Sequence, residues 1–351
     1  MVMTPHTTLS RRALLALALP CPAVFAAGSR PETEALARPA LKARHAERAL
    51  LLGVALAGQR LVAVGERGLV VVSDDGGRAW AQVPAPVSVS LTAVRFADAR
   101  HGVAVGHGGV VLTTADGGLT WTQRMDGRRA AALVLEGARA AQSSAAQANA
   151  ERLVTEGPDK PFLDVHMAGA QRVQVVGAYG LALASNDGGQ RWTSWADRLD
   201  NPKALHYYAL RQRGDVVVLA GEQGLLLRSE DGGKSFRRLE TPYRGSFFTA
   251  ELPADHEIVV AGLRGNTWRS ADDGRNWSQI ASPVAATITS SLLSPDGELL
   301  FTDQAGFVLK VAGNRLDPIN KSPLAPLTGV VRTDGRLLAL TAQGVVFVNA
   351  H

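Results

Sequence analysis

The chain has 351 residues, with 37 Lys and Arg against 32 Asp and Glu, a formal net charge of +5 and one cysteine. Positions 1–26 hold two arginines and no other charge, so the rest of the chain stands at +3. No basic run interleaved with aromatics accompanies this small excess, which excludes a nucleic-acid footprint. With Cys21 alone there is no disulfide framework, and no apolar stretch is long enough to span a bilayer.

The N-terminus, Met1–Ala26, reads as an export signal. Arg11 and Arg12 precede the apolar run Ala13–Leu19, and Val24-Phe25-Ala26 offers small residues for cleavage. Ser10-Arg11-Arg12 also resembles a twin-arginine signal, so either export route fits. Cys21 follows Leu19-Pro20, a poor lipobox, which argues against a lipid anchor. Residues 27–50 form an Arg- and Ala-rich segment ahead of the first apolar unit.

From Leu51 onward a short phrase recurs: Ser/Thr-x-Asp-x-Gly-x-x-Trp/Phe. Its copies are Ser73–Trp80, Thr114–Trp121, Ser185–Trp192, Ser229–Phe236 and Ser270–Trp277, carrying Asp75, Asp116, Asp187, Asp231 and Asp272. Most follow an apolar run such as Leu69–Val72 or Leu225–Leu227, which reads as a strand. Asp accepts from amides further along a turn, and Gly admits positive φ. Each copy is therefore predicted to be a hairpin tip that satisfies its own backbone, with Trp80, Trp121, Trp192, Phe236 and Trp277 as aromatic anchors. The phrase resembles the Asp-box of the bacterial neuraminidase repeat.

A companion turn, Gly-x-x-Gly, precedes every box, ending at Gly68, Gly109, Gly180, Gly224 and Gly265. Weaker copies end at Gly306 and Gly344. The count is seven units of about forty residues, a period that signals an array or a propeller. The fold class expected is all-β: a seven-bladed propeller of four-stranded blades, occupying 51–351. The last unit stops after its third strand, so a ring-closing strand is expected from Ala37–Ala49. One interval, Gly109 to Gly180, is 71 residues and locates an insertion at 125–159. Its core is rich in helix formers, broken near Ser143 and Ser144, and is expected to project from one face.

The unit Val103–Trp121, with Val-Gly-x-x-Gly leading into Asp-Gly-Gly-x-x-Trp, resembles the photosystem II assembly/stability factor family. That resemblance implies an exported, non-catalytic propeller that docks on a membrane protein or envelope complex, peripheral to the membrane at most. It also implies a binding surface near the middle of the ring. The turn tips Arg67, His107, Tyr179, Gln223 and Arg264 are the candidate partner-binding face. The host need not be photosynthetic.

An enzyme is the alternative: a glycoside hydrolase or carbohydrate binder of the sialidase type. Tyr179, Tyr207, Tyr208 and Tyr243 show no catalytic context, and Glu66, Glu222 and Asp303 read as polar turn tips. After the box anchors only Trp195 and Trp268 are left for sugar stacking. No histidine pair has ligand spacing, so neither a metal nor a cofactor is expected.

Overall fold

The computed structural model describes residues 35–142 and 144–349. The stretch expected to be an export signal (positions 1–26, with Cys21) and Ser143 lie outside the described residues.

Seven antiparallel sheets follow one another along the chain, each a meander running from an inner strand outward. In blade one these are β1 (Leu51–Ala57), β2 (Arg60–Gly65), β3 (Val70–Ser73) and β4 (Ala81–Val83). The inner strands of the next six blades are β5 (Leu91–Phe96), β9 (Phe162–Ala168), β13 (Tyr207–Arg213), β17 (Phe247–Glu251), β21 (Ile288–Leu293) and β25 (Leu327–Thr333). The middle strands are near-continuous apolar runs, and β3 is buried throughout. Both of their faces are covered, one by each neighbouring blade, so alternation disappears. The core is therefore a series of inter-blade layers. One joins Val62, Val64 and Val72 to Val94, Ala104 and Leu112 of the next blade.

Six sheets have four strands and the last has three: β25, β26 (Arg336–Thr341) and β27 (Gly344–Val348). The strand expected from Ala37–Ala49 to complete this blade does not form. Residues 46–48 make a single 3-10 turn, and the Glu47 carbonyl abuts Gly344. Further back, the Ala40 amide donates to Ala85 O at 3.0 Å, and the Ser88 amide to Ala35 O at 2.8 Å. Composition explains the difference. The segment has no β-branched residue, and Pro39 lacks an amide donor. The ring closes through side chains instead. Leu61, Ala63 and Val71 of blade one pack against Val331, Leu338 and Leu340 of blade seven, and the Thr328 hydroxyl donates to Leu51 O at 2.6 Å.

The insertion is a helical hairpin, α1 (Gly127–Ala140) and α2 (Ser144–Glu156). Asp126 caps α1 by accepting the Arg129 amide at 3.0 Å. The hairpin does not project as expected. Ala130, Val134, Ala138, Ala150 and Leu153 are buried in one cluster with Phe162 and Trp192. The reason lies in the small residues of α1. A Cβ on Gly137 would lie 3.0 Å from Ser194 Cβ, so the helix can lie directly against the outer strand of blade three.

Candidate docking face

Each box is a closed hydrogen-bonded turn. Asp75 Oδ1 accepts the Arg78 and Ala79 amides, both at 2.9 Å, and the Ser73 hydroxyl at 2.8 Å. Ser73 Oγ in turn accepts the Gly77 amide at 2.9 Å. Asp116, Asp187, Asp231 and Asp272 repeat the pattern. These donors hold the carboxyls below the usual range, with Asp116 and Asp272 at about 2. Trp80, Trp121 and Trp192 donate their indole N–H to the carbonyls of Gly77, Gly118 and Gly189. Trp277 reaches instead to Glu240 O of the preceding blade at 3.0 Å. Phe236 lies 5.5 Å from Trp195, centroid to centroid. That contact corrects the expectation for Trp195, which is 3% exposed and cannot stack on a sugar. The box Oδ1 atoms are thus committed to turn amides, on the hairpins joining third to fourth strands.

The Gly-x-x-Gly turns join second to third strands, and so crowd the opposite face of the disc. Arg67, Tyr179, Gln223 and Arg264 occupy the third turn position at φ of 53 to 57° and are exposed. His107 is exposed too but is not their equivalent: it takes the second position, and Gly108 takes the left-handed one at φ 67°. The glycines have distinct reasons. Gly65 is extended, and a Cβ there would lie 2.3 Å from Leu50 O. Gly68 needs φ +74°, and its Cβ would meet Val87 O at 2.0 Å.

The residues the sequence reading missed sit between these tips and the axis. Each inner strand carries a register shift near its start, leaving one extra residue. The extra residues are Leu52, Thr92, Leu163, Tyr208, Phe248, Thr289 and Thr328. All seven line the central channel, a cavity of about 420 Å³. Bulging turns each half-buried side chain toward the channel mouth on the Gly-x-x-Gly face. Thr92 and Thr328 also bond to the next blade, at Phe162 O (2.7 Å) and Leu51 O. The signal was present as a constant offset, thirteen or fourteen residues ahead of each turn's first position. A bulge has no residue signature of its own, so the offset went unread.

One sector of the mouth is aromatic. Tyr179 stacks edge-on against His206 at 4.8 Å, His206 lies over Tyr208 at 6.1 Å, and Tyr208 meets Phe248 at 4.8 Å. Lys160 Nζ stands 5.3 Å from the Tyr179 ring centroid. Glu222 fixes this row by accepting the His206 amide at 2.9 Å and contacting its Nδ1 at 2.5 Å. Burial, reinforced by Glu222, pushes the Tyr208 phenol up to about 12. Glu222 is therefore a brace; Asp303, fully buried, accepts the Phe307 amide at 2.8 Å within its own turn.

Deeper in the channel, four charges from four adjacent inner strands form a network. Arg211 pairs with Asp164 at 2.5 Å and with Glu251 at 3.0 Å, and Arg95 lies 3.7 Å from Asp164. Asp164 also accepts the Val165 and Leu210 amides, both at 3.0 Å, and Glu251 accepts the Ser291 hydroxyl at 2.6 Å. Burial raises the Asp164 carboxyl, but Arg211 and Arg95 outweigh it and hold it low. Nearby, burial pushes His166 down to about 4, which keeps its ring neutral. Two carboxylates thus do face the channel, but Arg211 bridges them and no Trp is among the lining residues. A glycoside hydrolase needs one carboxyl raised to serve as the acid.

The fold defines the class: a seven-bladed β-propeller built on Asp-Gly-Gly hairpins. The family described as "Photosynthesis system II assembly factor YCF48" matches residues 72–138 and 141–245. The chain is a photosystem II assembly factor-like propeller. No curated protein matches it in sequence. Among solved structures it is similar to YCF48 bound to D1 peptide, with 15% identity, TM-score 0.63, and coverage of 90% of this chain and 99% of that one. YCF48 from Cyanidioschyzon merolae gives 15% identity, TM-score 0.62 and coverage of 87% and 96%. A GH74 xyloglucanase from Xanthomonas campestris shares the fold at 13% identity and TM-score 0.59, covering 85% of this chain and 52% of its own.

Proposed function

We propose that this chain is an exported, non-catalytic propeller that docks on an extended segment of a membrane-protein subunit and acts in assembly or stability of its complex. The observation that carries the reading is the mouth: seven bulged side chains in one ring, half-buried, with an aromatic row leading out to Tyr179. Amphipathic aromatics at a partly wet surface are the residues that anchor protein partners. The family match supports an assembly role, and the D1 peptide bound by a YCF48 supports a polypeptide partner. Export rests on positions 1–26 of the sequence alone. The glycosidase alternative is less favoured, because Arg211 neutralises the channel carboxylates.

The test is capture from solubilised host membranes, with the wild type against a variant carrying Tyr179→Ser, Phe248→Ser and Arg264→Glu. Equal thermal stability with a loss of about tenfold or more in the captured membrane subunit supports the reading. Unchanged capture, or hydrolysis of a glycan by the purified chain, refutes it.

A further inference from the structure

In blades one to six the third strand is covered by a short outer strand. Each of these outer strands carries one inward apolar anchor, within the strand or just past its end. The anchors Val83, Met125, Trp195, Leu239, Ile280 and Leu316 are all buried, from 0 to 8% exposed. Blade seven has no such strand among the described residues, so β27 presents a free edge. The edge sequence is Gly344-Val345-Val346-Phe347-Val348, without the charge, proline or bulge that normally blunts an exposed edge. Val345, Val346 and Phe347 are only half-buried. Alternate residues of this edge must direct N–H and C=O groups outward, and only another extended chain matches that spacing.

The surroundings add charge to the specification. A cleft of about 490 Å³ beside β27 is lined by Glu298, Lys310, Ile319, Arg332, Arg336 and Phe347, among others. Glu298 is already paired with both Lys310 and Arg332. Arg336 lies 3.6 Å over the Phe347 ring and has no ion pair among the described residues. Arg332 Nε is buried without a hydrogen-bond partner there. The cleft therefore holds three cations against one acid, with unfilled donor capacity next to an apolar edge.

We propose that the β27 edge is a second docking site, which takes an extended, acidic segment of a partner polypeptide as the fourth strand of blade seven. Main-chain hydrogen bonds would give affinity, one apolar anchor would enter between Ile319 and Phe347, and an acidic side chain would meet Arg336. The site stands apart from the channel mouth and does not depend on it.

The test uses the full chain and a short, capped, fluorescent peptide of alternating Glu and Val. Three controls accompany it: an alternating Lys and Val peptide, the Glu–Val peptide N-methylated at alternate amides, and the Arg336→Glu variant. The expected result is saturable binding of the Glu–Val peptide. N-methylation should abolish it, the Lys–Val peptide should not bind, and Arg336→Glu should weaken it about fivefold, the scale of an exposed ion pair. A Val345→Pro variant, which removes an outward amide and leaves the β26–β27 ladder in place, should also lose binding while capture of the membrane subunit through the channel mouth is unchanged, which separates this site from the first. Equal binding of the N-methylated or Lys–Val peptide would overturn the proposal. So would amides of Val345–Val348 that are all protected from hydrogen exchange in the free chain, or an edge-dependent dimer by sedimentation. Those results would mean that the chain itself or a second copy already covers the edge.

Discussion

Replacing Arg211 with Met probes the channel network most sharply. The change keeps an unbranched apolar stem and removes the charged head that joins blades three, four and five. Asp164 would retain two backbone amides at 3.0 Å and Arg95 at 3.7 Å. Glu251, 7% exposed, would retain only the Ser291 hydroxyl. Stranding one member of a buried pair costs about 3–5 kcal/mol. Because Asp164 keeps three partners, the lower end applies: about 3 kcal/mol, most of it at Glu251. Urea denaturation of the wild type, Arg211→Met, Glu251→Gln and the double variant measures it. The double variant should recover at least about 1 kcal/mol over the sum of the single effects, since the two groups share one bond network. The pH dependence has a definite sign. Arg211 is the stronger of the two cations that hold the Asp164 carboxyl down against its burial, so the variant's deficit should shrink as pH falls below about 4. In the wild type the Asp164 carboxyl is lowered, so its contribution is present above the unfolded value near 3.8 and lost at lower pH. A cost under about 1 kcal/mol, or a deficit independent of pH, would refute the assignment of these charges to a buried network.

Other outcomes follow from the turns. Asp116→Ala removes the acceptor of two amides and two hydroxyls at a partly exposed site. The loss should be about 1–2 kcal/mol, as for a strong helix cap, seen as a few degrees in melting temperature. The Asp116 carboxyl sits at about 2, so the difference between wild type and variant should hold above pH 4 and fade as pH drops toward 2. Gly177→Ala places a Cβ 2.2 Å from Pro161 O and 2.7 Å from Phe162 Cα, in rigid backbone. It should cost more than about 2 kcal/mol, whereas Gly169→Ala, which meets nothing within 4 Å, should show only the smaller strain of its φ of +72°.

What was legible in the sequence was whatever depends on local turn chemistry. Asp75, Gly77 and Trp80 specify a hairpin by themselves, and the seven Gly-x-x-Gly turns, two of them without a box, counted the blades. The Gly-x-x-Gly spacing likewise located the insertion, because a missing or added strand breaks a fixed period. Long-range features stayed hidden. Arg95, Asp164, Arg211 and Glu251 are unremarkable singly, and only closure of the ring brings four inner strands to one axis. The mouth ring was lost because a bulge is a relation between two strands. The closing strand failed for a local reason that was readable: nothing in Ala37–Ala49 favours extension, and Pro39 opposes it. The hairpin's position turned on Gly137 and its alanines, whose smallness permits close packing without announcing against what.

The most direct test of the docking account is photo-crosslinking in the host, with a photoreactive side chain placed at Tyr208, at the mouth, or at Leu119, an exposed box position on the opposite face. The account predicts one membrane-protein adduct from position 208, mapped to an extended segment of that subunit, and none from position 119. The same adduct from 119 and not from 208 would contradict it.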